Sequence, residues 1–236
     1  AHTDAWLAER GAELGTAEMA MLGEQANRNP PTLKLFDGAG RRRDEVEFHP
    51  AYHELMAYLK RHGASAGPWA NPAPGAHVRR AALFMMYAEI EDGTLCPTTM
   101  TYAVVPSIMR DREIAQEWLP RIFSTEYDPR FIPPAQKRGV TLGMGMTEKQ
   151  GGSDLRSNTT TATPVAGREY RIVGHKWFFS APMSDAFLIL AQAPHGLSCF
   201  FLPRYLPDGA VNDIRIQRLK DKLGDRSNAG SEVEFW

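Results

Sequence analysis

The residues best suited to chemistry form one run, "GMGMTEKQGGSD", starting at Gly143. Gly143 and Gly145 open as a dinucleotide-binding G-x-G-x-x-G loop does, but Glu148 stands where the third glycine belongs. Strands, not a helix, follow it, so a Rossmann loop is set aside. "QGGSD" still offers what a phosphate needs: backbone N–H groups free to converge at Gly151 and Gly152, with the Ser153 hydroxyl beside them. The same residues also suit a glycine-rich hairpin or bulge, because Gly, Ser and Asp are ordinary turn chemistry. Further on come three consecutive aromatics, Trp177, Phe178 and Phe179. Neighbouring residues of a strand point to opposite faces, so these rings cannot share one core. Either one face meets something flat or another domain, or aromatics pack both sides of a barrel.

Other charged groups carry less. His49, His53 and Glu54 have the i, i+4 spacing of a metal pair with a carboxylate nearby, but no third ligand follows at helical spacing, and they read as ordinary helix residues. No metal site is assigned. Arg41, Arg42 and Arg43 are offset by Asp44 and Glu45 and read as a solvated loop. Lys137, Arg138, Lys220 and Lys222 could reach a phosphate, although such basic pairs are usually solvated. Met85 and Met86, in "FMMYAEI", read as core.

Two kinds of element must position these residues. Up to about residue 136 the periodicity is helical. "DAWLAERGAELGTAEMAMLGEQANRN" repeats apolar residues at three- and four-residue spacing, and "HPAYHELMAYLKRHG" begins with Pro50 in a first turn and stops at Gly63. "GAHVRRAALFMMYAEIEDG" is apolar nearly all round, as a buried helix would be. Pro106 and Pro120 split two further segments, and "ASAGPWANPAPG" reads as irregular. From residue 137 the pattern becomes short β-branched and aromatic runs: "REYRIVGHKWFFSAP", "DAFLILAQA", "LSCFFLPRYL", "IRIQRL" and "SEVEFW". The expectation is an α+β chain, an all-helical domain over 1–136 followed by an antiparallel β-barrel domain over 137–236.

Composition narrows the function. With 236 residues, 43% of them hydrophobic, the chain can build real cores. A formal net charge of -1 gives no global attraction to nucleic acid. Cys96 and Cys199 are far apart with no C-x-x-C spacing, which fits a reducing cytoplasm, and neither a secretory leader nor a membrane span is read. The missing initiator methionine and an end within "SEVEFW" suggest a piece of a longer protein.

"MTEKQGGSD", "VGHKWFFS" and "KDKLGDRSNAGSEVEF" resemble, in order and spacing, the successive β-domain motifs of the acyl-CoA dehydrogenase family: TEPxxGSD, GxKxWIT(N/S) and KLGxRxS with its V-x-F strand. "GMGMTEKQGGSD" with "KWFFS", and the upstream "NPP", "RRRDEVEFHPAYHELM" and "LCPTTMT", are similar to the alkylation-response, AidB-like branch of that family. The resemblance implies FAD lying between the barrel and a C-terminal helical domain that this chain does not contain. It implies that Met144, Gly145, Met146, Thr147, Glu148, Gly151, Gly152 and Ser153 line the flavin, with Met146 and Thr147 at the pyrimidine edge and Ser153 on the pyrophosphate. Trp177, Phe178 and Phe179 would pack along the isoalloxazine, with Ser153 and Phe179 also bordering the substrate. Two departures stand out: Lys149 replaces a proline, and Phe179 takes the place of a threonine whose hydroxyl bonds flavin N5. The family's carboxylate base belongs to the C-terminal domain, so no catalytic residue is nominated, and this chain alone is expected to be inactive. Further implications are acyl-CoA or a related small molecule as substrate, a tetramer when full length, and a bacterial alkylation response with double-stranded DNA bound through the C-terminal region. A competent short- or branched-chain acyl-CoA dehydrogenase and a non-catalytic DNA-protecting flavoprotein remain as alternatives.

Overall fold

A computed structural model describes residues 2–236; residue 1, the first of the expected helical domain, lies outside the described residues. The chain runs α1 (His2–Leu14), α2 (Ala17–Arg28), β1 (Thr32–Phe36), β2 (Arg42–Glu47), α3 (Pro50–Arg61), α4 (Gly67–Ala70), α5 (Ala76–Ala88), α6 (Leu95–Ile108) and α7 (Arg112–Ile122). Then follow β3 (Leu142–Gly145), β4 (Thr161–Ala166), β5 (Glu169–Ser180), β6 (Ala186–Ala193), β7 (Gly196–Pro203), β8 (Ile214–Leu219) and β9 (Gly230–Phe235). It divides into a helical unit of residues 1–31, 48–141 and 222–228, and a β unit of residues 32–47, 142–221 and 229–236. No described helix is long and apolar enough to cross a membrane.

Helices begin where side chains can satisfy their first N–H groups. Thr16 Oγ1 accepts from Met19 N–H ahead of α2, His49 Nδ1 from Ala51 N–H ahead of α3, and Asp111 from the N–H groups of Glu113 and Ile114 ahead of α7. His53 Nδ1 lies 3.1 Å from Tyr127 Oη, so both histidines have structural partners. The helical core joins Leu14 and Ala26 to Leu55, Leu59, Leu83 and Tyr87.

Five sequence expectations need correction. The first domain is not all helical: β1 and β2 pair antiparallel, Leu33 opposite Val46, and belong to the β unit. With them the arginine run becomes ordered strand. Arg42 bridges to Asp44 and donates to Ile216 O at 2.8 Å, while Asp44 accepts from Ile216 N–H at 2.8 Å. The prolines do not split their segments: Pro106 and Pro120 lie inside α6 and α7. A proline removes the N–H that would bond the carbonyl four residues back. For Pro106 that carbonyl is Tyr102 O, which accepts from Trp69 Nε1 at 3.0 Å instead. "ASAGPWANPAPG" encloses the short α4. Finally, α5 is not buried all round, since Val78 and Met85 are each 72% exposed.

The β unit is a curled seven-stranded sheet ordered β3-β6-β4-β5-β9-β8, with β7 against β6. Most pairs are antiparallel, but β3 runs parallel to β6, as does the single bridge from β4. Phe179, Phe187, Ile189, Ile216 and Val233 are among its buried side chains.

Candidate functional site

β3 delivers the glycine-rich run. A Cβ on Gly143 would lie 2.5 Å from the Phe187 ring, and one on Gly145 2.7 Å from two ring carbons of Phe179. These glycines therefore admit aromatic rings against bare backbone, a packing role. Gly145 is buried, and Met144 between them is half-buried.

Beyond β3 the chain is fastened to β5. Met146 O accepts from Asn158 Nδ2 at 2.8 Å, Thr147 O from Trp177 N–H at 2.9 Å, and Lys149 N–H donates to His175 Nε2 at 3.0 Å. Glu148 lies beneath, with no exposed side-chain surface. Its carboxylate accepts from Lys176 Nζ at 2.8 Å, Thr159 N–H at 2.6 Å, Thr159 Oγ1 at 3.0 Å, Thr160 N–H at 3.1 Å and Gln150 Nε2 at 2.8 Å. Burial alone would push this carboxyl up, but the hydrogen bonds from Lys176, Thr160, Thr159 and Gln150 together hold it well below the usual range. Burial pushes the Lys176 amine down, and Glu148 restores part of that. Glu148 is thus the internal clasp of the loop, and its side chain does not reach a ligand. Gly151 completes the turn at φ +140, where only glycine is at ease, and its N–H donates to Glu148 O at 3.0 Å. A Cβ on Gly152 would lie 2.6 Å from Thr147 Oγ1, so Thr147 and Gly152 touch, and the exposed Ser153 follows directly.

The aromatics separate as strand geometry requires. β5 is bulged against β9 between Lys176 and Phe179, so both of those side chains turn inward and are fully buried. Phe179 packs on Phe187 with centroids 4.4 Å apart, which corrects its assignment to flavin and substrate: it is core. Phe178 is 55% exposed, Met146 43% exposed and Trp177 half-buried. Lys220 Nζ sits 3.7 Å from the Trp177 ring centroid and 4.6 Å from that of Phe178. Lys149 and Arg218 approach the Trp177 ring as well, at 5.5 and 5.9 Å. Glu232 holds Lys220 and Arg218 at 2.7 Å each, and those hydrogen bonds, Arg218's foremost, hold its carboxyl low.

Sequence reasoning missed Ser180. The two-residue period of a strand returns it to the face of Phe178, opposite the buried Phe179, and it is half-buried. The signal was there: if one of two adjacent phenylalanines fills the core, the hydroxyl belongs to the next residue. The remaining basic candidates are structural. Lys137 is buried, Arg138 pairs with Glu126 at 2.9 Å, and Lys222 donates to Asn228 O at 2.7 Å.

What the site presents is an exposed aromatic ledge beside cations, with hydroxyls at Thr147, Ser153 and Ser180. A flavin fits it: ring faces suit the flat isoalloxazine and cationic neighbours suit its anionic parts. Glu148 and Glu232 are poorly placed for acid–base work, because each is tied to cationic partners, Glu148 to Lys176 and Glu232 to Arg218 and Lys220.

Residues 1–129 match the family described as the adaptive response protein AidB N-terminal domain, and residues 143–236 match the acyl-CoA dehydrogenase middle domain. The chain is 54% identical to AidB of Escherichia coli strain K12 over 98% of its own length and 43% of that protein. Among solved structures it is similar to the apo form of Bd2924 (TM-score 0.84, 27% identity, 100% of this chain and 48% of that one). It is also similar to Caenorhabditis elegans ACDH-11 in complex with C11-CoA (TM-score 0.83, 27% identity, 95% and 39%). The chain thus spans less than half the length of these relatives. Both halves, each matched to its own domain and carried together in AidB, place the chain in the acyl-CoA dehydrogenase family, in its AidB-like branch.

Proposed function

We propose that this chain forms the β-side wall of the site for FAD, the cofactor of the family, in an AidB-like flavoprotein of the response to DNA alkylation. Acyl-CoA or a related thioester is its ligand, and acyl-CoA oxidation is weak. The observation that carries the reading is the ledge of Trp177 and Phe178, rings left partly open side by side with Lys220 Nζ over both. When bound, FAD supplies the two-electron acceptor. Trp177 and Phe178 would orient the ring by its faces, Thr147 and Ser180 would offer hydroxyls to its polar edge, and Ser153 would serve the pyrophosphate. Lys220 and Lys149 would favour negative charge on the bound ring.

The chain's own groups at the ledge supply no general base. Glu148 is inaccessible under the loop, and Glu232 is tied to Lys220 and Arg218. A base must reach its proton directly. The carboxylate that does so is expected in the family's C-terminal helical domain, as are the DNA-contacting surface and most tetramer contacts. A net charge of -1 accords with DNA contact elsewhere.

Flavin retention by the full-length protein tests this. Wild type should show the oxidised flavin band near ~450 nm, and Trp177→Ala with Phe178→Ala should lose most of it while staying folded. Undiminished flavin in that variant would refute the proposal. Rapid bleaching by short or branched acyl-CoA would instead favour a catabolic dehydrogenase. Salt-dependent DNA affinity that persists without the base would favour a protective, non-catalytic role.

A further inference from the structure

A cavity of about 240 Å³ lies within the helical unit, bounded by α1, the end of α3, α4, α5 and the residues after α7. Its wall includes Lys60, Arg61, Arg79 and Arg80, with no aspartate or glutamate among the residues whose side chains are described. We infer that this cavity binds a small phosphate-bearing molecule, with the phosphate among the arginines and the organic part against Trp6.

The arginines are placed for an anion. Arg80 is stacked 3.8 Å from the Tyr102 ring centroid, and its Nε donates to Ala64 O at 2.6 Å. Its second guanidinium nitrogen, Nη2, is buried with no hydrogen-bond partner. Burying part of a cation is costly, and negative charge in the cavity that Arg80 lines would offset that cost. Arg79 lies 5.3 Å from the Trp6 ring centroid. Arg61, Arg79 and Arg80 make no ion pair with any residue whose side chain is described. His62, also in the wall, adds no charge near neutrality: burial lowers its pKa, the Arg10 charge lowers it further, and its Nδ1 faces Arg10 Nη1 at 3.0 Å.

Charge and size select the ligand class. Guanidinium forks match both carboxylates and phosphates, but a phosphate monoester carries about 1.5 to 2 negative charges at neutral pH against one for a carboxylate. With three arginines and Lys60 in one wall, the doubly charged group fits better. The volume falls below the roughly 300 Å³ at which drug-sized pockets begin. That favours the phosphate of a small alcohol or sugar over a dinucleotide, and separates this cavity from the flavin ledge.

Titration calorimetry with inorganic phosphate, glycerol 3-phosphate, glycerol and acetate tests the inference. Both phosphates should bind, glycerol 3-phosphate the tighter, while glycerol and acetate should give no heat. Arg79→Gln, at an exposed position, should weaken binding at least tenfold with an unchanged melting temperature, as loss of a charge-assisted hydrogen bond does; Arg61→Gln serves as a second variant. Absence of phosphate binding at millimolar concentration would overturn the inference. So would acetate binding as tightly as phosphate, or unchanged affinity in both variants.

Discussion

Replacing Lys176 by methionine isolates the clasp beneath the glycine-rich loop. Methionine keeps the length and apolar stem of lysine but removes the charge that faces Glu148 at 2.8 Å. Deleting one partner of a buried ion pair typically costs about 3–5 kcal/mol, because the other charge stays buried and uncompensated. Four donors, from Thr159, Thr160 and Gln150, would still serve the carboxylate. The expected loss therefore sits near the lower end, about 3 kcal/mol, a large share of the roughly 5–15 kcal/mol that holds a typical domain. Urea unfolding followed by far-UV circular dichroism reads the loss directly. The double variant Glu148→Gln with Lys176→Met should regain more than half of it, since no unpaired charge remains. The pH dependence follows in sign. Folding depresses the Glu148 carboxyl below its ordinary value of 4.5, so its stabilisation is complete above that pH and is lost as pH falls further. Without Lys176 the acid transition should move to higher pH. A Lys176→Met protein within about 1 kcal/mol of wild type would refute the assignment of the pair as the clasp, given that magnitude.

The adjacent phenylalanines should part company. Phe179→Ala, at a fully buried ring against Phe187, should cost about 3–5 kcal/mol, whereas Phe178→Ala should change stability little and act on flavin retention. Gly145→Ala should destabilise by about 1–3 kcal/mol, because its methyl would meet the Phe179 ring at 2.7 Å; an unchanged melting temperature would contradict that packing. Gly93→Ala would set a methyl 1.8 Å from Ser227 Oγ and 2.7 Å from Asn228 N, so amide exchange in residues 222–228 should accelerate.

The sequence alone determined a good deal. Helical spacing in the first half, Pro50 and Gly63 at the ends of α3, and β-rich runs after residue 140 are local signals, and they mark elements the structure contains. The three β-domain motifs pointed to the family because their order along the chain is itself sequence. One miss was legible: "TLKLF" and "VEF" alternate about "DGAG", a hairpin signature that the neighbouring helices and the arginine run concealed. Other features only the tertiary structure decided. Pro106 stays inside a helix because Trp69, far along the chain, bonds the carbonyl it strands. Whether Phe178 or Phe179 faces outward depends on a bulge opposite β9, and one residue of register exchanges core for surface. The fate of Glu148 was equally hidden. A glutamate in a glycine-rich loop reads as a ligand contact until Lys176, 28 positions away, is found bonded to it within the same buried clasp.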